Sequence, residues 1–145
     1  KGYWGMEEKT KESFKDDGFF ITGDLAKKDE NGYFTIVGRD KDMIISGGLN
    51  VYPKEIEDVI NELPNITESA VFGVQHDDFG EAVVAAVVTT DDKNDGSQIL
   101  DYTKDKIAKY KQPKKIIFMS NLPRNSMGKV QKNKLRENNK SLFKS

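Results

Sequence analysis

A single lysine in a glycine-containing turn is the residue of this chain best suited to chemistry. Lys129 directly follows Gly128 inside a run of polar and small residues, 122–132. The glycine gives the backbone access to conformations that are closed to other residues. The lysine carries a compact ammonium group on a flexible four-carbon stem, so its charge can be inserted into a site and withdrawn. Taken alone, the segment is more typical of a solvent-exposed hairpin tip.

A second segment, 38–57, favours a functional role for Lys129 over a plain hairpin tip. It contains Arg39 and Lys41 within a run of charges, then the bend Ser46-Gly47-Gly48, and then a proline at the start of a helical pattern. We interpret 39–42 as a junction between two folding units, because the charges interrupt an apolar pattern that resumes after them.

The composition limits the class of protein. The chain has 145 residues, 36% hydrophobic and 32% charged, which suits one domain or a small domain plus part of another. Without cysteine it has no disulfide frame and no thiolate metal site. The single histidine, His76, excludes a multi-histidine metal cluster, and we interpret it as a surface loop residue without a catalytic role. We therefore expect no metal site.

The sequence also indicates the cellular location of the protein and whether the chain is a fragment. No apolar run approaches the roughly 18 residues that span a bilayer, so we expect a cytoplasmic protein (or a mitochondrial-matrix one in a eukaryote) that does not engage membranes. The chain opens with Lys1-Gly2-Tyr3-Trp4, without methionine or a signal pattern. We expect it to be a fragment of a longer protein.

The net charge of −1 conceals a strong asymmetry. Residues 103–145 contain 13 Lys and Arg but only Asp105 and Glu137 as acids, whereas the rest of the chain is acidic. Such a basic segment suits a nucleic acid or a polyphosphate ligand. The alternative, favoured by charge alone, is a basic face paired internally with an acidic one.

The periodicity predicts the elements that must position these residues. We expect a polar helix over 7–15, strands at 19–22 and 33–37 with a turn at 29–32, and a short strand at 43–45. Pro53 begins an amphipathic helix that ends at Pro64. The expected later elements are strands at 69–74 and 82–89, an exposed loop at 91–96, a helix capped by Ser97 with Leu100, Thr103 and Ile107 on one face, a strand at 115–119 and a polar helix over 131–143 anchored by Leu135 and Leu142. This order indicates a small α+β domain from about residue 41.

Four motifs, in this order, resemble the acyl-adenylate-forming superfamily, which includes acyl-CoA synthetases, luciferases and peptide-synthetase adenylation domains. They are Thr22-Gly23-Asp24, then Gly38-Arg39 with Lys41-Asp42, then Ser46-Gly47-Gly48 with Asn50-Val51-Tyr52-Pro53 and Glu55, and finally Pro123-Arg124-Asn125 with Gly128-Lys129. Within the superfamily, segments 2–4, 8–10, 19–22, 50–56 and 124–132 look most like malonyl-CoA synthetases.

The resemblance implies a fold and a division of the chain. Residues 1–40 would be the tail of a large N-terminal AMP-binding domain. Residues 41–145 would form the small C-terminal lid domain, a short antiparallel hairpin plus a three-stranded sheet flanked by helices. The fragment is expected to be inactive without its own N-terminal domain, which would hold the acyl pocket.

The resemblance also implies a reaction. A small carboxylate, here malonate, attacks Mg-ATP to give an acyl-adenylate and pyrophosphate, and the thiol of coenzyme A then expels AMP. ATP, Mg²⁺ and coenzyme A are therefore the expected cofactors and co-substrates. A cation between two anionic reactants is the natural catalyst of the first step.

Each role is carried over to a matching residue. Lys129 would be the catalytic lysine, and Asp24 would accept hydrogen bonds from the ribose hydroxyls of ATP. Arg39 would lie at the nucleotide edge of the junction, and Lys41 would be the hinge. Rotation there would exchange the Lys129 face for the Ser46-Gly47-Gly48 face, whose glycines admit the slim pantetheine arm of coenzyme A. The plainer interpretations are a turn-capping aspartate, a surface ion pair and an ordinary hairpin bend.

The sequence leaves open two residue assignments and two alternative functions. Basic residues in 104–115 and 132–140 are candidates for contacts with the coenzyme A phosphates, and Lys132 is either a decoy or an auxiliary phosphate contact. One rival is another superfamily member, an adenylation domain or a luciferase-like oxidase. The other is a nucleic-acid-binding module, against which the lack of an aromatic stacking array in 103–145 argues.

Overall fold

A computed structural model describes residues 2–91 and 95–144. It begins with helix α1, Glu7–Glu12, and an antiparallel hairpin of β1, Asp24–Lys28, and β2, Phe34–Arg39. The predicted turn joins these strands, because an oxygen of the Asp29 side chain accepts a hydrogen bond from the Tyr33 backbone N–H at 2.8 Å. The strand predicted at 19–22 is wrong. Only an isolated bridge between Phe14 and Phe20 forms there, with ring centroids 5.2 Å apart.

The second sheet has five strands. They are β3, Ile44–Ser46; β4, Leu49–Val51; β5, Ile66–His76; β6, Gly80–Thr89; and β7, Lys115–Phe118. Strand β6 is central: it forms a long antiparallel ladder with the edge strand β5 and pairs in parallel with β7. The hairpin of β3 and β4 joins β6 through the pairing of Ser46 with Gly80. The expected hairpin and three-stranded sheet are therefore parts of one mixed sheet.

Helices cover both faces of this sheet. Helix α2, Pro53–Ile60, and helix α3, Ser97–Lys106, pack on one face, where Ile56, Ile60 and Ile99 are fully buried. Helix α4, Lys132–Asn138, packs on the other face through Leu135. Alternate residues of β5 and β6 point to the two cores, so the continuous apolar run at 82–87 is buried on both sides. The α+β fold is confirmed.

Element ends differ from the sequence prediction at several places. Ser97 is the first residue of α3 rather than its cap. Its N–H and hydroxyl both bond to a carboxylate oxygen of Asp95, at 2.9 and 2.6 Å. The buried side of α3 is formed by Ile99 and Thr103, with Ile107 just after it. The last helix ends at Asn138, although Leu142 still packs on the α4 core.

Two further observations complete the fold. His76 is the last residue of β5, half-buried, with its ring 4.8 Å from that of Phe79 and 5.1 Å from that of Phe143, so the surface-loop interpretation is wrong. The loop expected at 91–96 lies partly outside the described residues. Over 2–91 and 95–144, no helix combines the length and apolar character needed to cross a membrane.

Candidate active site

The turn that carries Lys129 is a small, well-defined loop. Arg124 and Val130 pair across its base, and the Gly128 N–H donates to the Asn125 carbonyl at 2.9 Å. Gly128 has φ +77°, a conformation that favours glycine, which is the use foreseen for it. The Lys129 side chain is exposed. Within the described ranges, its ammonium makes no hydrogen bond or ion pair, so it is free to meet an external anion.

Asp24 and Arg39 face each other across the first hairpin. They are register partners in β1 and β2, and Arg39 Nε lies 2.9 Å from a carboxylate oxygen of Asp24. Arg39 also donates to the Thr22 carbonyl at 2.7 Å, while the Thr22 hydroxyl oxygen accepts from the Asp24 N–H at 3.1 Å. The first and second motifs thus form one polar unit with a fixed arginine.

One cleft brings the second and fourth motifs together. It has a volume of about 840 Å³ and is lined by Arg39, Lys41 and Lys129. Its other lining residues are mainly polar or basic, with Asp42 as the acid: Tyr3, Lys9, Asp42, Asn125, Val130, Gln131, Lys132, Asn133 and Arg136. A concave surface with this excess of positive charge attracts polyanions. Asp24 lies beside Arg39 in an adjoining cavity of about 350 Å³.

The Ser46-Gly47-Gly48 bend lies elsewhere. It is the turn between β3 and β4, with φ +59° at Gly47 and +78° at Gly48. Ser46 is buried, and the Gly47 N–H donates to the Phe79 carbonyl at 2.8 Å. None of the three residues lines the Lys129 cleft. The structure therefore joins Arg39, Lys41 and Lys129 but leaves this bend outside the cleft.

Lys41 occupies a short 3₁₀ turn, Asp40–Asp42, between the two sheets. The Asp40 N–H donates to the Gly23 carbonyl at 3.0 Å, which ties one side of the turn to the first hairpin. Asp42 accepts from Arg136 of α4 at 3.3 Å, which ties the other side to the second sheet. The exposed Lys41 thus lies between residues anchored to different units.

Six of the 13 cations of the basic segment, 103–145, are paired with acids of this chain. Within the described residues, six ion pairs join a cation of the basic segment to an acid before it: Lys104–Asp101, Lys106–Glu62, Lys111–Glu55, Arg124–Glu68, Lys132–Glu57 and Arg136–Asp42. The hydrogen bond from Lys106 lowers the pKa of Glu62, and the same contact raises the pKa of Lys106. The bond to Glu55 likewise raises the pKa of Lys111.

Lys132 is one of these internal partners. Its Nζ lies 2.7 Å from a carboxylate oxygen of Glu57, and both side chains are about 15% exposed, at 16% and 14%. The same oxygen of Glu57 accepts the Val71 N–H at 2.8 Å. The sequence left Lys132 as either a decoy or an auxiliary phosphate contact, because its partner Glu57 is distant in the chain.

One protein-family model matches about half of this chain. The model of the AMP-binding enzyme C-terminal domain family matches residues 55–129. The chain belongs to this family. Lys129 is the last residue of the match, and Arg39 and Lys41 precede its start.

Two curated relatives of this AMP-binding enzyme C-terminal domain are CoA ligases. The long-chain-fatty-acid–CoA ligase FadD13 of Mycobacterium tuberculosis is 47% identical over 137 residues, which are 94% of this chain and 27% of that protein. The mitochondrial medium-chain acyl-CoA ligase ACSF2 of Homo sapiens is 44% identical over 137 residues, covering 94% of this chain and 22% of that protein. The chain thus spans about a quarter of the length of these relatives.

Solved structures of MatB from Rhodopseudomonas palustris are also similar. The ATP-bound structure is 58% identical, with a TM-score of 0.88, and covers 99% of this chain and 29% of that one. The apo structure is 59% identical over the same shares of the two chains, with a TM-score of 0.76. At nearly equal identity, the arrangement in this chain therefore resembles the ATP-bound one more closely.

Proposed function

We propose that this chain is the C-terminal part of an AMP-forming acid–CoA ligase, with residues 1–40 belonging to the large domain and 41–145 forming the lid. The observation that carries the proposal is the cleft lined by Arg39, Lys41 and Lys129, whose ammonium is unpaired among the described residues. Relatives that cover nearly all of this chain are named CoA ligases, which supports the same reaction class.

The proposed reaction has two steps. A carboxylate oxygen attacks the α-phosphorus of ATP, forming the acyl-adenylate as pyrophosphate leaves. The sulfur of coenzyme A then attacks the acyl carbon, and AMP leaves. Both reactants of the first step are anions, so a cation that enters between them stabilises the developing charge. Lys129 supplies that cation and forms no covalent bond.

The other residues bind and orient. Asp24 accepts hydrogen bonds from the ribose hydroxyls, and Arg39, held by Asp24 and the Thr22 carbonyl, lies beside the phosphates. Mg²⁺ enters with ATP, and we assign it no ligand from this chain.

Lys41 is proposed as the hinge between the two steps. Support comes from its anchored neighbours and from the higher TM-score with the ATP-bound than with the apo MatB structure. Rotation at Lys41 would withdraw Lys129 and bring the Ser46-Gly47-Gly48 bend to the pantetheine arm.

The proposed substrate is malonate. The proposal is supported by the resemblance of segments 2–4, 8–10, 19–22, 50–56 and 124–132 to malonyl-CoA synthetases. The test is the specificity constant of the full-length protein for malonate against medium-chain and long-chain acids. A preference for fatty acids would remove malonate while keeping the reaction class.

The role of Lys129 is tested by separating the two steps in the full-length protein. Lys129→Ala should abolish most carboxylate-dependent exchange of pyrophosphate into ATP, yet spare thioester formation from supplied acyl-adenylate. Lys134→Ala is the matched control, since Lys134 is exposed on α4 and lies outside the cleft. Equal loss of both steps would refute the role.

Two further measurements separate the rivals. Formation of a thioester on free coenzyme A, rather than on a carrier protein, distinguishes a CoA ligase from an adenylation domain. A nucleic-acid module would bind generic DNA or RNA with a steep salt dependence. It would also lose equal affinity in Lys129→Ala and Lys134→Ala. The internal pairing of six basic residues favours the ligase.

The hinge has its own test. Lys41→Pro restricts rotation of the backbone at this position, so it should impair thioester formation more than adenylation. Unchanged turnover would exclude Lys41 as the hinge.

A further inference from the structure

The turn that presents Lys129 is held by hydrogen bonds to Asn125, four positions before it. The Asn125 side-chain oxygen accepts hydrogen bonds from the backbone N–H groups of Met127 at 3.0 Å and Lys129 at 2.9 Å. The Asn125 N–H in turn donates to the Lys129 carbonyl at 2.9 Å. One asparagine therefore holds Lys129 at both its N–H and its carbonyl oxygen.

A second contact ties the turn to the sheet. Arg124 Nη1 donates to the Gly128 carbonyl at 2.7 Å, while Nη2 forms an ion pair with Glu68 of β5. Because β5 forms a long antiparallel ladder with β6, this guanidinium connects the glycine beside Lys129 to the sheet.

The turn needs such support. Over 2–91 and 95–144, no atom lies within 4 Å of the position that a Gly128 Cβ would occupy, so packing does not restrain the backbone there. The Lys129 stem adds four rotatable carbons to any backbone motion. Catalysis by a positioned charge depends on its placement, and a misplacement of about 1 Å can cost ~10²-fold in rate.

We infer that Asn125 is a positioning residue for Lys129, assisted by the Arg124–Glu68 pair. The inference rests on the proposed role of Lys129 in adenylation. Asn125 acts through the backbone of the turn, because its side-chain oxygen is occupied by two N–H donors of that turn.

The test uses the full-length protein and the first half-reaction. Asn125→Ala should lower kcat for adenylation about 10- to 100-fold, with the KM for ATP and the rate of thioester formation from supplied acyl-adenylate nearly unchanged. Asn125→Asp keeps an acceptor oxygen of the same geometry and should restore most of the rate. Asn121→Ala is the matched control, since Asn121 is exposed and lies outside the cleft.

Two readouts distinguish positioning from a general loss of structure. Backbone amide exchange at Met127 and Lys129 should accelerate in Asn125→Ala and be restored in Asn125→Asp, while exchange in β5 and β6 stays unchanged. In a Lys129→Ala background, Asn125→Ala should cause no further loss of adenylation, because the group that it positions is gone.

The outcomes separate this inference from the proposed function. If Lys129→Ala itself leaves adenylation intact, the proposed function fails, whatever the amide exchange shows. If Lys129→Ala abolishes adenylation but Asn125→Ala does not lower it, or lowers it equally in both backgrounds, the positioning role is overturned. Unchanged exchange at Met127 and Lys129 would also overturn it.

Discussion

The ion pair between Lys132 and Glu57 allows a sharp test of which lysine is structural. The two side chains are only 16% and 14% exposed, and the Nζ to Oε1 distance is 2.7 Å. The same Oε1 accepts the Val71 N–H of β5 at 2.8 Å. This carboxylate therefore links α2, β5 and α4, and Lys132→Met removes its cation while keeping an unbranched apolar stem.

The magnitude follows from the low exposure. A hydrogen bond to a charged group contributes about 1.5–3 kcal/mol, and water screens a mostly buried pair weakly. We expect Lys132→Met to lower the free energy of unfolding of the small domain by about 2 kcal/mol. That corresponds to a population of the open state about 30-fold larger.

Native-state hydrogen exchange measures this quantity within the full-length protein. Amides in the long ladder between β5 and β6 should exchange about 30-fold faster in Lys132→Met if global opening of the domain limits them. Glu57→Gln keeps an acceptor for Val71 and should cost less. Lys134→Met, on the exposed side of α4, should change nothing.

The opposite result would refute the reasoning. If Lys132→Met leaves exchange in β5 and β6 unchanged but reduces adenylation as strongly as Lys129→Ala, then Lys132 contacts phosphate and the ion pair contributes little. In that case partial burial of this lysine would not indicate a structural role.

Three further predictions concern single positions. Gly128→Ala places a side chain at φ +77°, with no described residue within 4 Å of the new Cβ. The cost is therefore backbone strain of about 1–2 kcal/mol, measured as adenylation about 5- to 30-fold slower; an unchanged rate would contradict it. Gly73→Ala should destabilise the domain by about 1–3 kcal/mol, because the new Cβ would lie 2.5 Å from the Glu81 carboxylate. Amide hydrogen exchange in β5 measures this change, and an unchanged exchange rate would show that Glu81 can move aside. The hydrogen bond from Lys106 lowers the pKa of Glu62. We therefore expect the wild type to be more stable than Glu62→Gln above the ordinary pKa of 4.5, and this difference to decline as pH falls through the lowered pKa. A difference that persists in stronger acid would exclude the carboxylate as its source.

The sequence by itself determined the family and the turns, helix starts and apolar strands that depend on neighbouring residues. Ordered motifs indicated the adenylate-forming superfamily, and the match of 55–129 to the AMP-binding enzyme C-terminal domain confirms the family. The Asp29–Gly32 turn, the helix from Pro53 and the double apolar runs of β5 and β6 were predictable, because proline, glycine and hydrophobic period act over a few residues. The glycine of the Lys129 turn was readable for the same reason.

Partners distant in the chain were decided only by the tertiary structure. Residues 19–22 have strand-like composition, yet a strand needs a neighbour, and the fold supplies only an isolated bridge there. The sequence singled out Lys129 but left Lys132 as either a decoy or an auxiliary phosphate contact. The packing of α4 over β5 brings Glu57 to Lys132, while Lys129 and Arg39 line one cleft. The role of a charged side chain depends on the groups that folding places beside it. Those groups are distant in the chain, so the local sequence does not identify them.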